Sequence, residues 1–107
     1  MTRTNLAPNK AAITAIGSYV PDEVLTNQDL EQMVETNDEW IQSRTGIRER
    51  RIAKSPSHST GYMAIKAAEN LCAKNNIDPK TIDLVLVATI TPVYQVSSTA
   101  PYVASQI

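Results

Sequence analysis

Trp40 and Arg44 are four positions apart, and an indole and a guanidinium at that spacing share one face of a helix. Such a pair can flank a purine ring while the arginine also reaches a phosphate. It can equally be a surface cation–π pair or a half-buried tryptophan, and spacing alone favours these plainer assignments. His58 is the only histidine. It lies in a Ser-rich loop with no nucleophile near it in sequence, so it reads as a solvated side chain rather than a catalytic base. Cys72 falls in a stripe of alanines and reads as a small buried hydrophobe, not a reactive thiolate. As the only cysteine it excludes an internal disulfide and a multi-cysteine metal cluster. There is no P-loop, no GxGxxG, no zinc-spaced His and Cys and no serine elbow. The 3 glycines are too few for a phosphate-cradling loop.

The chemistry has to be carried by a small scaffold. A chain of 107 residues, 42% apolar and 20% charged, is ordinary globular composition and at most one domain with a thin core. The formal net charge of −1 says little about partners. Charge is unevenly placed, however: Arg44, Arg48, Arg50, Arg51 and Lys54 fall within eleven residues, opposed there only by Glu49, and such a segment can meet phosphate or an acidic protein. Residues 1–10 are polar and Pro-interrupted, unlike a secretory signal, and the longest apolar stretch is too short to span a bilayer. The expectation is a cytoplasmic protein with no membrane and no nucleic-acid partner.

Ala11 to Gly17 reads as a strand closed by the turn chemistry of Val20-Pro21-Asp22. Thr26 with Asp29 then marks a short helix, stapled by Leu25 on Leu30 and turning Leu30, Met33 and Val34 inward. Thr36 with Glu39 forms a second capping box, and Gly46 supplies a left-handed stop. Residues 48–53 are too charged for a core strand and suit an edge or surface strand. From Ser59 to Asn76, the spacing of Ala64, Ala67, Ala68, Leu71, Cys72 and Asn75 predicts an amphipathic helix ended by Asp78-Pro79. Ile82 to Ile90 has no polar alternation beyond Asp83, the pattern of a central strand covered on both faces. Ser97 or Ser98 can cap a last helix that tolerates Pro101 in its first turn. Strand, helix and strand make a β-α-β crossover and an α/β layered architecture. A nine-residue central strand, roughly 30 Å long, needs more neighbours than these residues supply.

The run Thr36-Asn37-Asp38-Glu39-Trp40-Ile41-Gln42-Ser43-Arg44-Thr45-Gly46-Ile47-Arg48-Glu49-Arg50-Arg51-Ile52 resembles the TxDEWIxxRTGIxxRxI signature of ketoacyl-acyl-carrier-protein synthase III. GSYVP (Gly17 to Pro21), TNQDLEQMV (Thr26 to Val34) and IDLVLVATITP (Ile82 to Pro92) agree with it in order and distance, so the resemblance runs from Ile13 onward. It implies a thiolase-like layered α/β fold with a mainly parallel sheet, of which residues 11–107 are an incomplete N-terminal domain and residues 1–10 an extension. It also implies an acyltransferase, working as a homodimer, that condenses acetyl-CoA or another short acyl-CoA with malonyl-acyl-carrier protein to begin fatty-acid synthesis. The catalytic Cys, His and Asn of the family are expected beyond Ile107, so the chain alone is expected to be inactive. No bound cofactor or metal is implied; the coenzyme A thioester is substrate. By motif position the resemblance gives Trp40 to the adenine face, Arg44 to its other side and the phosphates, and Thr36 to the adenine edge. A Thr36 hydroxyl busy capping a helix would have less freedom for that task. Val96, in the loop from Thr91 to Ser98, takes the place of an aromatic residue of some members in an acyl pocket at the dimer interface, leaving room for a longer or branched primer. Two alternatives stay open: a condensing enzyme of polyketide, quinolone or long-chain ketone synthesis, and a non-catalytic module that binds a nucleotide or an acidic carrier.

Overall fold

The computed structural model describes residues 11–55 and 57–107; the N-terminal extension, residues 1–10, lies outside them. The element order is β1 (Val24–Thr26), α1 (Asn27–Glu31), α2 (Asp38–Thr45), β2 (Glu49–Arg51), α3 (Thr60–Asn75), a 3-10 turn (Pro79–Thr81) and α4 (Thr99–Gln106). β1 and β2 form an antiparallel pair with Leu25 opposite Arg50. The charged run after Gly46 is thus a surface strand, as its composition predicts, and its partner is the short apolar stretch just before α1.

α1 starts at the predicted place. The Thr26 hydroxyl accepts from Asp29 N at 3.1 Å and the Asp29 carboxylate accepts from Thr26 N at 2.8 Å, a complete capping box. The helix is one turn shorter than its apolar pattern suggested. It ends at Glu31, which leaves Met33 and Val34 exposed rather than inward. The residue that α1 buries is its first, Asn27, at 0% exposure.

α2 starts one residue later than predicted. Its cap is Asn37, whose Oδ1 accepts from Trp40 N at 2.8 Å, so Thr36 does not form the expected capping box with Glu39. Asn and Thr both cap well, and here the amide side chain reaches the third N–H of the helix. Gly46 ends the helix at φ 71, as predicted, its N–H donating to Gln42 O at 2.8 Å. Ile41 is the only residue α2 buries. Covering one such side chain contributes about 2 kcal/mol, which holds the helix down without fixing its rotation.

α3 runs from a Ser59 cap to a left-handed Asn76 (φ 52) and buries Gly61, Ile65 and Cys72. Its small-residue side admits close neighbours. A methyl group on Gly17 would lie 2.6 Å from the Cα and N of Leu71, and one on Gly61 would lie 2.6 Å from Val93. The 11–17 segment therefore crosses α3 in contact with its backbone, with Ser18 N donating to Asn70 Oδ1 at 3.4 Å. α4 begins at a Ser98 cap, carries Pro101 in its first turn as predicted, and packs Val103 against α3.

The two segments expected to be parallel strands, Ala11 to Gly17 and Ile82 to Ile90, lie on either side of α3 in sequence but make no ladder among the described residues. From Thr14 to Val20 and from Leu84 to Ile90 exposure alternates with a period of two, the mark of an extended backbone. In the second, Val85, Val87 and Thr89 are half-buried, while Leu84 (72%), Leu86 (85%) and Ile90 (99%) are exposed. The expectation of cover on both faces is corrected: α3 and α4 lie near this segment, and its other face has no partner among the described residues. Extended backbone needs a laterally placed strand to become a sheet. The buried apolar side chains, Ile41, Ile65, Cys72 and Val103, make a core as thin as the length predicts.

Candidate functional site

An open hollow of about 270 Å³ lies at the head of α2, lined by Glu35, Thr36, Asn37 and Trp40. Trp40 projects from the first turn of α2 with 57% of its surface exposed, so it is not an interior tryptophan. Its backbone N–H is held by the Asn37 cap, which places the indole beside residues 35–37. Thr36 is half-buried beside it. With the capping role taken by Asn37, the Thr36 hydroxyl is free of the constraint that the sequence suggested.

Arg44 is exposed one turn further along α2, outside the residues that line the hollow. It is not spent on an aromatic ring in the chain: among the described residues the cation placed over a ring is Lys66, 5.8 Å from the centre of Tyr62. The structure thus brings Thr36 and Trp40 together and leaves Arg44 on the same helix as an outlying cation. Val96 belongs to another region. The loop bearing it is tied at its ends, by Thr60 Oγ1 to Thr91 Oγ1 at 2.8 Å and by Val93 N to Thr99 Oγ1 at 3.2 Å, and Val96 itself is fully exposed. Glu35 and Asn37 in the hollow were not singled out from sequence. Their position beside Thr36 in the α1–α2 link was the available signal.

Behind the hollow is a polar knot. Asn27 Nδ2 donates to Asp38 Oδ1 at 2.7 Å and to Ile47 O at 2.8 Å, while Asn27 Oδ1 accepts from Arg50 Nη1 at 3.0 Å. Asp38 Oδ2 accepts from Gln42 Nε2 at 2.6 Å, and Asp38 N donates to Glu31 Oε1 at 2.7 Å. These donors hold the Asp38 carboxyl below the usual carboxylate range, first through Asn27 and then through Gln42, with the positive charge of Arg48 adding to them. Asp29 is lowered in the same way by its bonds to Thr26.

The two residues set aside on sequence behave differently from each other. Cys72 is a buried thiol in α3, as expected. His58 is half-buried rather than solvated: it stacks on Tyr62 with ring centres 5.1 Å apart, and its Nδ1 is buried without a hydrogen-bond partner among the described residues. Tyr62 in turn meets Tyr19 edge to face at 5.9 Å. This cluster sits at the start of α3 and fastens the preceding loop.

Comparison with solved structures identifies the architecture as thiolase-like and partial. The chain superposes with a TM-score of 0.83 on beta-ketoacyl-acyl-carrier-protein synthase III from Thermus thermophilus, at 42% identity over 90% of this chain and 30% of that one. The Aquifex aeolicus 3-oxoacyl-acyl-carrier-protein synthase III gives a TM-score of 0.78 at 48% identity, over 86% of this chain and 30% of that one. The priming beta-ketosynthase of the R1128 polyketide pathway gives 0.79 at 33% identity, over 86% and 27%. Among curated proteins, the sequence is 52% identical over 97 residues to the beta-ketoacyl-acyl-carrier-protein synthase III of Porphyromonas gingivalis W83, covering 91% of this chain and 29% of that protein. It is 53% identical over 90 residues to the Phocaeicola vulgatus protein of the same name, covering 84% and 27%. The resemblance carried by the TNDEWIQSRTGIRERRI run therefore holds, and the chain's relatives are ketoacyl-acyl-carrier-protein synthases of type III. The chain spans about three-tenths of their length. No family model matches it.

Proposed function

We propose that the hollow at the head of α2 receives the adenine end of a coenzyme A thioester, in a protein that condenses a short acyl-CoA with malonyl-acyl-carrier protein at the start of fatty-acid synthesis. The observation that carries this reading is the exposed Trp40 ring beside a Thr36 hydroxyl that no helix cap consumes. An aromatic face at a wet hollow is a stacking surface for a purine. Thr36, Asn37 and Glu35 offer hydrogen-bonding groups at the ring's edge, and acceptors suit the exocyclic amine of adenine. Arg44, one turn away and exposed, supplies a charge to phosphates that extend beyond the ring. The Glu35 carboxylate lines the hollow itself, so the anionic part of the ligand lies toward Arg44 and the neutral ring beside Glu35.

On this reading the chain contributes ligand recognition, and the Cys, His and Asn chemistry lies outside these residues. The 107 residues alone form no acyl-enzyme. The loop from Thr91 to Ser98 supplies Val96 to an acyl pocket shared across a homodimer, and its exposed position here fits a role completed by another surface. A polyketide-priming condensation is the second reading, supported by the likeness to the R1128 enzyme at 33% identity, lower than that to the synthases named above. It shares the coenzyme A hollow and differs in the acceptor. No helix of the described residues is long and apolar enough to cross a membrane.

The test is a titration of the complete protein with coenzyme A. Replacing Trp40 with Ala is expected to weaken binding about tenfold or more, the effect of one lost stacking contact. Arg44→Ala is expected to weaken it comparably, with the loss shrinking as salt rises. Unchanged affinity in both variants would remove coenzyme A from this hollow.

A further inference from the structure

We propose that Asn27, fully buried and outside the hollow's lining, is the positioning residue that fixes the attitude of α2 and thereby presents Trp40 and Arg44 to the coenzyme A thioester; the ligand part of this inference rests on the reading above.

α2 has few other means of holding a fixed orientation. Eight residues make too short a helix to be stable alone. Its one buried apolar side chain, Ile41, anchors it at a point about which it can still rotate. Asn27 removes that freedom by holding both ends at once. One Nδ2 hydrogen goes to Asp38 at the first residue of α2, at 2.7 Å, and the other to Ile47 O just past its last turn, at 2.8 Å. The amide oxygen takes Arg50 Nη1 from β2 at 3.0 Å, so the knot is fastened to the β1–β2 pair as well. Asn27's own N–H donates to Arg48 O at 3.3 Å. Both side-chain donors and the acceptor are thereby satisfied at a site with 0% exposure, where a missing partner is costly. Asp38 passes the constraint up the helix, because its second oxygen holds Gln42, which lies between Trp40 and Arg44 in sequence. Neither Asn27 nor Asp38 lines the hollow.

The experiment is a pair of variants in the complete protein. In Asn27→Asp, shape is kept and both Nδ2 donors are lost, with two carboxylates left facing each other. Adding Asp38→Asn supplies a donor to the carboxylate introduced at position 27 and keeps an acceptor for Gln42, while the Ile47 carbonyl remains unpaired in both. The single variant is expected to lose hydrogen-exchange protection at the α2 amides. It should also weaken coenzyme A binding about tenfold, the size a buried hydrogen bond carries. In turnover, the KM for acyl-CoA should rise with kcat little changed. Because only the Asp38 end is restored, the double variant should regain part of the protection and part of the lost affinity, and bind more tightly than the single variant, a coupling that independent sites do not show. A single variant with unaltered α2 exchange, or a double variant no better than the single one, overturns the proposal. If Trp40→Ala leaves coenzyme A affinity untouched, the ligand reading falls, and the exchange measurement with its rescue still decides whether Asn27 orients α2.

Discussion

Asp38 keeps its charge through neighbours rather than through depth. The amides of Asn27 and Gln42 donate to it, and Arg48 adds an attraction, so its folded-state value lies below that of a free carboxyl. Asp29 is depressed likewise by Thr26. A carboxyl lowered on folding contributes stability that is present above its unfolded value and lost as pH falls through the folded one. The α1–α2 region is therefore expected to lose protection below about pH 4, and Asp38→Asn to lose less of it than the parent over the same range. Hydrogen exchange at α2 across an acid series checks this, and equal acid sensitivity in the two proteins contradicts it. The Gly46 stop was legible in the sequence because a left-handed helix end favours glycine, whereas Trp40 and Arg44 were singled out by the family resemblance, their spacing alone favouring an ordinary surface pair. Asn27 was not, because all three side-chain partners lie eleven or more positions away and nothing local distinguishes an asparagine that follows a helix cap. The exchange of Thr36 for Asn37 as the cap was also hidden: two good capping residues in succession are separated only by geometry.

At the scale of elements, helices were read more faithfully than strands. The caps of α1, α3 and α4 and the stop of α2 are local chemistry, and they stand at or next to their predicted places. Strands need a partner. The 11–17 and 82–90 segments, both read as strands, form no ladder among the described residues, whereas Val24–Thr26, not read as a strand, finds one in Glu49–Arg51. The crossing of Gly17 over α3 predicts a contrast between two glycines. Gly17→Ala drives a methyl into the Leu71 backbone, which has little room to yield, and should cost about 1–3 kcal/mol. Gly46→Ala meets no atom within 4 Å and suffers only the left-handed backbone, roughly 1 kcal/mol. Thermal midpoints of the two variants in the complete protein should rank in that order; the reverse ranking would show that Gly17 does not press on α3.

Taken whole, the described residues leave a row of large apolar side chains in water: Ile13, Ile16, Leu84, Leu86 and Ile90 are all mostly exposed. The sequence announced this through a central-strand pattern with too few companions, although it could not say which face would be bare. The 107 residues made alone are expected to bind a hydrophobic dye and to self-associate with rising concentration. A sharp thermal transition from a monomer that leaves the dye unbound would contradict this.

Time on the ribosome makes the uncovered row of Leu84, Leu86 and Ile90 a matter of custody. Residues emerge at about 5–20 per second, and α3, synthesised just before, can shield only the opposite side. From Leu84 to Ile107 there is no charged residue to discourage the wrong partner. A nascent segment of this kind is what holding chaperones grip, and the interval before it is covered decides whether the chain matures or clumps.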